Sequence, residues 1–381
     1  MRSVKLGDIL DVQSGFAFKT EFFSEIDGIP LIRIRDLLNT STETNYRGEF
    51  RKDFIVESGD YLIGMDGNFR CYRWQGPIAL LNQRVCRLRN FKPDVDPEYI
   101  YHGIQKKLQD IEAATPFATV KHISARQIQN IELPFPSLDQ QHRIADILSR
   151  AEGIVRLRRE AQKKAQELIP ALFLDMFGDP ATNPKGWPVA TIGEVIESTD
   201  YGSSKKASGD NIGLPLIRMG NVDYTGYLDL SDLKYVDLLP EEVEQYRLYK
   251  GDVLFNRTNS KELVGKTGLW NGSCEAVAAS YFIRMRVIIN RLNPFYLWAF
   301  MNTAHMKRVL FETARGAIGQ ANINARELRS FRIGIPLLAL QNTFEQHCRD
   351  VFSIQSQQSI ALEKAEATFQ SLLHRAFAGQ L

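Results

Sequence analysis

The chain has few cysteines and no long apolar run, and each absence excludes a class of protein. Its four cysteines, Cys71, Cys86, Cys274 and Cys348, are scattered over 381 residues. A disulfide framework or a structural zinc site needs clustered cysteines, so neither is predicted. No apolar stretch approaches the roughly 20 residues of a membrane span. The N-terminus lacks the apolar core of a signal peptide, so we expect a cytoplasmic protein.

An excess of charge of one sign is also missing. The 47 lysines and arginines nearly balance 45 aspartates and glutamates, which leaves a net charge of +2. This balance argues against a polybasic tail but permits local basic patches that acidic residues offset elsewhere. The content of 44% hydrophobic and 24% charged residues is typical of a soluble globular protein. A chain of this length predicts two or three domains.

Motifs for nucleotide binding and catalysis are absent too. No Gly-x-Gly-x-x-Gly or Gly-x-x-x-x-Gly-Lys-Ser/Thr segment follows a predicted strand. The six histidines form no i, i+4 pair of the kind that binds a metal. Asn293–Tyr296 (Asn-Pro-Phe-Tyr) is similar to the Asn-Pro-Pro-Tyr box of adenine methyltransferases, but a helix cap followed by proline explains it equally well. We therefore predict a protein that is not an enzyme and has no metal or cofactor of its own.

What the sequence does contain is an internal repeat. Residues 121–134 (KHISARQIQNIELP) return as 321–334 (ANINARELRSFRIG), and this offset of 200 persists to Phe177 and Phe377. Other matched pairs have smaller offsets, such as IPLIR at 29–33 with LPLIR at 214–218. Repeats determine architecture. We infer that one half was duplicated, that its helical part kept its length, and that its globular part took insertions.

The repeat predicts an α+β protein with two mixed α/β heads, at 1–138 and 179–338 (the second with its linker). Two spacer helices, at 139–178 and 339–381, follow the heads. Residues 61–64, 78–81 and 84–88 are predicted strands. Asp96-Pro97 and Asn293-Pro294 each predict a capped helix start at equivalent positions of the two heads.

Each spacer helix carries a heptad pattern, in which apolar residues recur at alternating steps of three and four. The predicted seam of the first helix consists of Ile144, Ile147, Ala151, Ile154, Arg158, Ala161, Ala165, Leu168 and Leu172. The predicted seam of the second consists of Phe344, His347, Val351, Ile354, Gln358, Ala361, Ala365, Thr368 and Leu372. Chain direction requires the paired helices to be antiparallel, with a pseudo-twofold repeat and a length of about 60 Å. Pro170 is expected to kink or stop the first helix.

The order of these segments resembles the specificity subunit of a type I DNA restriction–modification system over the whole chain. The resemblance is carried by LGDI at 6–9, SGFAFK at 14–19, GDYLIGMDG at 59–67, GDVLFNR at 251–257, the two Ala-Arg segments and LFLDMFG at 172–178. It implies that each head is a target-recognition domain for one half of a bipartite double-stranded DNA site. It also implies that the helices dock two methyltransferase subunits. S-adenosylmethionine and ATP would then be bound only by these partners and by motor-nuclease restriction subunits.

Polar loops rich in cationic, amide and hydroxyl groups are the candidate DNA contacts, because such groups bind phosphates and base edges. In the first head they are Lys19, Asp66, Asn68, Arg70, Arg73, Lys121 and His122. In the second they are Ser203, Ser204, Lys205, Lys206, Asn256, Arg257, Thr258, Asn259, Ser260, Lys261, Gln320 and Asn322. Solvated turns or exposed flexible loops are the alternative for these loops, and neutral drift between the heads is the alternative at 121–122 and 320–322. Arg126 and Arg326, at one repeat position, are expected to form a structural ion pair or cap.

A second function class stays open at this point. A tandem scaffold whose heads bind peptide or carbohydrate would also accommodate the low net charge and the 22 phenylalanines and 13 tyrosines. Salt-dependent binding to random duplex DNA separates the two classes, because phosphate contacts release counterions. A scaffold is expected to show no binding and no salt dependence.

Overall fold

The computed structural model describes residues 2–39, 41–115, 121–317 and 320–381. The chain divides into two compact units: unit 1 combines Met1–Arg159 with Ile360–Leu381, and unit 2 is Glu160–Ser359. Each unit contains one predicted head and one half of each long helix. Within the described ranges, no helix is long and apolar enough to cross a membrane.

Eleven strands and three α-helices lie in the described residues of the first half of the chain. The strands are β1 (Ser3–Lys5), β2 (Asp11–Ser14), β3 (Phe23–Ser24), β4 (Ile29–Ile32), β5 (Asn45–Tyr46), β6 (Ile55–Val56), β7 (Tyr61–Gly64), β8 (Cys71–Arg73), β9 (Ala79–Leu81), β10 (Val85–Arg89) and β11 (Glu132–Pro134). The helices are α1 (Pro97–Ala114), α2 (Ala125–Gln129) and α3 (Leu138–Phe177).

The second half repeats this plan with more elements. Its strands are β12 (Val189–Thr191), β13 (Ile196–Tyr201), β14 (Leu214–Ile217), β15 (Lys234–Val236), β16 (Val253–Asn256), β17 (Thr258–Asn259), β18 (Thr267–Leu269), β19 (Val277–Ala278), β20 (Phe282–Val287), β21 (Arg315–Ala317), β22 (Gln320–Asn322) and β23 (Arg332–Gly334). Its helices are α4 (Pro240–Tyr246), α5 (Pro294–Met301), α6 (Ala304–Thr313), α7 (Ala325–Ser330) and α8 (Leu338–Phe377).

The two units share three sheet features, which confirms the predicted fold class. Each has a four-stranded antiparallel sheet, in the order β2-β10-β7-β8 in unit 1 and β13-β20-β16-β18 in unit 2. Each also has a parallel pair, β4 with β9 and β14 with β19. A short antiparallel pair, β1 with β11 and β12 with β23, precedes each long helix. The insertions of the second head lie between strands that both units share.

One glycine in each unit allows two chain segments to come unusually close. A Cβ atom on Gly15 would lie 2.0 Å from the carbonyl oxygen of Asn82, and one on Gly202 would lie 2.2 Å from that of Ala278. Real Cβ atoms do not approach backbone that closely, so glycine is required at both positions. The presence of glycine at both Gly15 and Gly202 thus has the same steric cause in the two heads.

The long helices pair in opposite directions within each unit. In unit 2 the ring of Phe177 lies 5.2 Å from that of Phe344, and Gln355 Nε2 donates to the carbonyl of Ala165 at 2.8 Å. In unit 1 Arg159 forms an ion pair with Glu366 at 2.6 Å. Residues near the end of α3 thus contact residues near the start of α8, and residues nearer the start of α3 contact residues nearer the end of α8. This confirms the antiparallel pairing that the heptads predict.

Half of the predicted seam is wrong. Ala151, Ala165, Val351 and their heptad equivalents are buried or half-buried as expected, except Arg158, which is exposed. The other series is displaced by one residue, because Leu148, Val155, Ile169 and Cys348 are buried. The predicted residues of that series are half-buried or exposed: Ile147, Ile154, Ala161, Leu168, His347, Ile354, Ala361 and Thr368.

The displacement has a simple origin. Apolar residues occupy adjacent positions at 147–148, 154–155 and 168–169 of α3. A step of three and a step of four then fit the pattern equally well, and only packing decides between them. Of the kink or stop expected at Pro170, the stop is also wrong, since α3 continues to Phe177. Burial of Phe173 and Phe177 in the core of unit 2 offsets the cost of a proline inside the helix.

Each head and its helix halves share one hydrophobic core. In unit 1, Ile144, Leu148 and Ala376 belong to the cluster that includes Tyr99 and Leu133. In unit 2, Ile169, Phe173 and Phe344 belong to the cluster that includes Tyr296 and Ile333. The helices are therefore fixed to each head by continuous packing and not by a hinge.

A glutamine that the sequence pattern did not single out connects each head to its helix. Gln141 and Gln341 are both completely buried. Each accepts a hydrogen bond from the backbone N–H of a helix cap, Asp96 at 2.9 Å and Asn293 at 2.8 Å. Each also donates to a proline carbonyl five residues earlier. Asn293 caps α5 in turn, so the Asn-Pro-Phe-Tyr segment has a structural role here.

The corrected seam predicts different stabilities for two adjacent substitutions. Ile169→Ala should destabilise unit 2 by about 2–5 kcal/mol, because Ile169 is 3% exposed in its core. Leu168→Ala should cost less than about 1 kcal/mol, because Leu168 is 42% exposed. Urea unfolding followed by tryptophan fluorescence measures this, since three of the four tryptophans lie in unit 2. If the two substitutions lowered the free energy of unfolding equally, the seam predicted from the sequence would be supported instead.

Candidate nucleic-acid interface

In unit 1, the chain after β7 pairs with the segment that precedes α2. The N–H of Ile123 donates to the carbonyl of Met65 at 2.8 Å, and that of Gly67 donates to Lys121 at 3.0 Å. Asp66 and His122 form an antiparallel bridge between these hydrogen bonds. Two polar loops that are 56 residues apart in sequence are thereby held side by side at one end of the sheet.

The side chains at this place form a charged cluster, which we call strand-end site 1 (Asp66, Arg84, Lys121 and His122). His122 Nδ1 lies 2.6 Å from Asp66 Oδ1, and Arg84 Nη1 lies 3.5 Å from Asp66 Oδ2. Lys121 Nζ donates to the carbonyl of Glu112 at 2.7 Å. The carboxylate is 21% exposed, whereas the imidazole and guanidinium are about half exposed. Asp66 thus orients two cationic or hydrogen-bonding groups that solvent can reach.

Unit 2 forms the same arrangement with other side chains, which we call strand-end site 2 (Tyr201, Arg257, Thr258 and Asn322). Thr258 in β17 pairs with Asn322 in β22. Asn322 Oδ1 accepts hydrogen bonds from Arg257 Nε at 3.2 Å and from Thr258 Oγ1 at 3.0 Å. The Arg257 guanidinium lies 4.8 Å above the ring of Tyr201. One amide oxygen and one aromatic ring therefore fix the position of this guanidinium.

Backbone hydrogen bonds show that the two sites occupy equivalent positions. The N–H of Met65 donates to Arg84, as that of Arg257 donates to Tyr281. The carbonyl of Met65 accepts from Ile123, as that of Arg257 accepts from Ile323. Asp66 thus corresponds to Thr258, and His122 corresponds to Asn322. The same backbone frame presents an acidic and imidazole pair in one unit and a hydroxyl and amide pair in the other.

Two predicted DNA contacts, Ser203 and Asn256, are buried, and a third, Arg73, is held in an ion pair. Ser203 is 4% exposed, and its hydroxyl accepts from the N–H of Lys205. Asn256 is fully buried at the end of β16, where its Oδ1 accepts from Asn259 Nδ2 at 3.2 Å. Arg73 forms an ion pair with Glu98 and lies 5.1 Å from the ring centre of Tyr101. Burial removes Ser203 and Asn256 from solvent, and the ion pair with Glu98 occupies part of the Arg73 guanidinium.

The remaining predicted contacts are spread around the two sites. Asn68 and Arg70 are exposed beside strand-end site 1 in sequence, and Lys19 is exposed near Glu21. Ser204 and Lys206 are exposed, and Lys205 pairs with Glu242 at 3.2 Å. Asn259 and Ser260 are half-buried, and Lys261 Nζ lies 4.6 Å above the ring of Phe311. Gln320 belongs to β22, but its side chain lies outside the described part.

Two members of the sites escaped prediction. Arg84 is contributed by the turn before β10, and it meets Asp66 only because β7 and β10 are neighbours in the sheet. Tyr201 ends β13, a strand that the sequence pattern did not reveal. The signal for both is indirect, since each requires knowledge of strand order.

The expectation for Arg126 and Arg326 is wrong. Both guanidinium groups are exposed, and neither has an ion pair or hydrogen bond among the described residues. The caps of the two short helices are provided by other residues, Ser124 for α2 and Asn324 for α7. The physical reason is local, because each arginine lies on the solvent side of a one-turn or two-turn helix whose buried residue is Ile128 or Leu328.

The chemistry of the strand-end sites is that of hydrogen bonding and charge. Across the described ranges, no group of three or more histidine, cysteine, aspartate or glutamate side chains is placed to bind a metal ion. The sites provide guanidinium, imidazole, amide, hydroxyl and carboxylate groups on a rigid strand end. Such groups bind phosphate oxygens and base edges.

Fold and site together define a class of protein, with two copies of one α+β recognition unit on a pair of long helices. A family model for the type I restriction modification DNA specificity domain matches residues 1–167 and 184–363. The chain therefore belongs to this family, as a type I specificity subunit. This confirms the family that the sequence resembles.

Individual relatives agree over nearly the whole chain. The specificity subunit of the type I restriction enzyme EcoBI from Escherichia coli is 27% identical, and the match covers 99% of this chain and 85% of that protein. The EcoKI specificity subunit from Escherichia coli K12 is 22% identical over 93% of this chain and 83% of that protein. The crystal structure of the S subunit from M. genitalium has a TM-score of 0.56 at 14% identity, covering 99% of this chain and 96% of that one. That likeness concerns the fold.

Proposed function

We propose that each unit binds one half of a bipartite double-stranded DNA site, and that its strand-end site provides the base contacts. The observation that carries this proposal is the difference between the two equivalent sites. Asp66 and His122 occupy the backbone positions that Thr258 and Asn322 occupy in unit 2. Two units that recognise different base sequences need a common frame with different hydrogen-bonding groups.

The groups of strand-end site 2 suit a purine edge. A guanidinium has five donors, of which Arg257 uses Nε toward Asn322. Arginine binds the O6 and N7 atoms of guanine in the major groove with two hydrogen bonds, and asparagine binds adenine in a similar way. Contact with Tyr201 and Asn322 restrains the guanidinium before DNA arrives, which reduces the entropy lost on binding.

The groups of strand-end site 1 suit a different edge. The Asp66 carboxylate is an acceptor, and carboxylates accept from the N4 amino group of cytosine. His122 and Arg84 flank it and provide donors. We therefore expect the half-site of unit 1 to differ from that of unit 2. Arg70 and Lys206 are exposed and would add the salt-sensitive attraction to phosphates.

The helices would dock two methyltransferase subunits, one for each unit. Exposed apolar side chains on α3 and α8 support this, because they are not covered by the heads. Unit 1 presents Ile154, Leu157 and Ile360, each more than half exposed, and unit 2 presents Leu168, Leu174 and Ile354. The partners would bind S-adenosylmethionine, and restriction subunits that join them would bind ATP.

Docking predicts a change in stoichiometry for a variant of unit 1. The double substitution Ile154→Glu and Leu157→Glu should reduce the methyltransferase subunits that co-purify from two per chain to one. Charges placed at the centre of an apolar contact remain unpaired there and weaken it. The masses of the co-expressed complexes measure this. Ser371→Glu, at an exposed polar position of α8 in the same unit, is the matched control. If the double variant still bound two methyltransferase subunits, the docking surface would lie elsewhere on the chain.

Binding to duplex DNA at several salt concentrations tests the proposed function itself. The chain with its methyltransferase partners should bind random duplex weakly, and this affinity should decrease as salt increases, because bound phosphates release counterions. A duplex that contains the cognate site should bind more tightly. The absence of binding at every salt concentration would favour the tandem scaffold instead.

A further inference from the structure

A short segment of the repeat separates residues that hold the fold from residues that do not. Between 121–141 and 321–341, most positions differ between the two units. The identical residues are Ile123, Ala125, Arg126, Pro136, Leu138 and Gln141, each matched 200 residues later. Two units that recognise different DNA sequences are expected to share only those residues that both units require.

Packing explains every identical residue except the arginine. The isoleucine and the glutamine are fully buried in both units, and the proline is buried in both. The alanine and the leucine are half-buried in both. The side chains of Arg126 and Arg326 are exposed and have no ion pair or hydrogen bond in the part of the chain that the structure describes. A long cationic side chain kept twice without an internal partner has no evident role in stability.

Both arginines lie beside the strand-end sites. Arg126 is the second residue of α2 and follows His122 by four positions, as Arg326 follows Asn322. In unit 2 the N–H of Ala325, the residue before Arg326, lies 3.4 Å from the hydroxyl of Tyr201. The guanidinium of Arg257 in turn lies over the ring of Tyr201. The start of α7 is thus in direct contact with strand-end site 2.

We propose that Arg126 and Arg326 each bind a DNA phosphate next to the half-site that their unit recognises. This rests on the proposed function. Phosphates are the same at every base pair, so a residue that binds them need not differ between units with different half-sites. Base-reading residues must differ, as those of the two strand-end sites do. The arginines would set the position of each unit on the duplex and contribute equally to any sequence.

The test compares Arg126→Gln, Arg326→Gln and the double variant with the wild-type chain, each co-purified with its methyltransferase subunits. Affinity for cognate and for random duplex is measured over a series of salt concentrations. Each substitution should weaken binding to both duplexes by the same factor, about tenfold at low salt. The slope of log affinity against log salt should decrease by about 1 for each arginine and about 2 for the double variant.

Two further variants make the result specific. Arg332→Gln is a matched control, because Arg332 is an exposed arginine near the other end of α7 and its repeat counterpart is Glu132. It should leave the slope unchanged. Arg126→Lys should retain the slope, because lysine keeps the charge. An unchanged slope and affinity in the double variant would overturn the inference, as would a loss confined to one base sequence. Failure of the wild-type complex to bind any duplex would instead overturn the proposed function.

Discussion

Insertion of one heptad into each long helix is expected to lengthen the spacer between the two recognised half-sites and to leave both half-sites unchanged. The insertions are placed after Arg159 in α3 and after Ser359 in α8, where the two compact units meet along the chain. Each inserted heptad carries leucine at its two seam positions. Seven helical residues add about 10 Å, and DNA rises about 3.4 Å per base pair, so the spacer should increase by up to about three base pairs.

The expectation follows from how each head is attached. Its core includes residues of both helices, such as Ile144 and Ala376 in unit 1 and Phe173 and Phe344 in unit 2. Added length in both helices cannot be absorbed inside a unit without opening that core. Strand-end sites are built within the heads, so the half-sites themselves should not change.

Two controls accompany the double insertion. A heptad in only one helix leaves its added residues without a partner, so stability and DNA modification should both decrease. Insertion of three residues in each helix leaves the apolar face about 60° out of register, with a similar loss. The recognised spacer is measured by mapping methylated adenines in cells that express each variant. An unchanged spacer with the double heptad would show that the helices do not set the distance.

Arg257→Ala is expected to relax recognition of one half-site only. Loss of a bidentate contact between arginine and guanine costs about 1–3 kcal/mol, which corresponds to about 5- to 150-fold in discrimination. Because Arg257 belongs to unit 2, the bases read by unit 1 should keep their full selectivity. Competition binding with duplexes altered in one half at a time measures both effects.

Asp66→Ala is the reciprocal variant, since Asp66 is the acceptor of strand-end site 1. It should relax base selectivity in the half-site read by unit 1 and leave selectivity in the half-site read by unit 2 unchanged. Asn322→Ala provides an intermediate case, because it removes the acceptor that holds Arg257 and retains the guanidinium. Thermal unfolding verifies that each variant is folded. Loss distributed evenly over both half-sites in Arg257→Ala would contradict the assignment of one unit to one half-site.

The sequence predicted much of the fold, because repeats and caps are local signals. The 40-residue helices begin at Leu138 and Leu338, each within one residue of the predicted start. The seam failed at Ile154 and Leu168, where apolar neighbours made two registers equally consistent with the pattern. A pattern of polarity specifies that a face is buried but not which of two adjacent residues meets the partner helix.

The loops that form the candidate site could be predicted from the sequence, but the contacts between their side chains could not. The sequence identified Asp66, His122, Arg257 and Asn322 as polar residues of loops that match between the two heads. It could not show that Asp66 meets Arg84, because that contact depends on strand order. It also gave no means of separating Asn256, which is buried, from Arg257, its neighbour. Asn256 is the last residue of β16, whose four residues are all buried, whereas Arg257 follows the end of this strand.

We propose that the two copies of one recognition unit read two different half-sites at a fixed separation. A genome-wide map of methylated adenines, in cells that express the chain with its methyltransferase, tests this most directly. We predict a single motif with two dissimilar specified halves and a spacer of constant length and arbitrary sequence. One continuous motif without a spacer, or two halves at variable separation, would contradict the account.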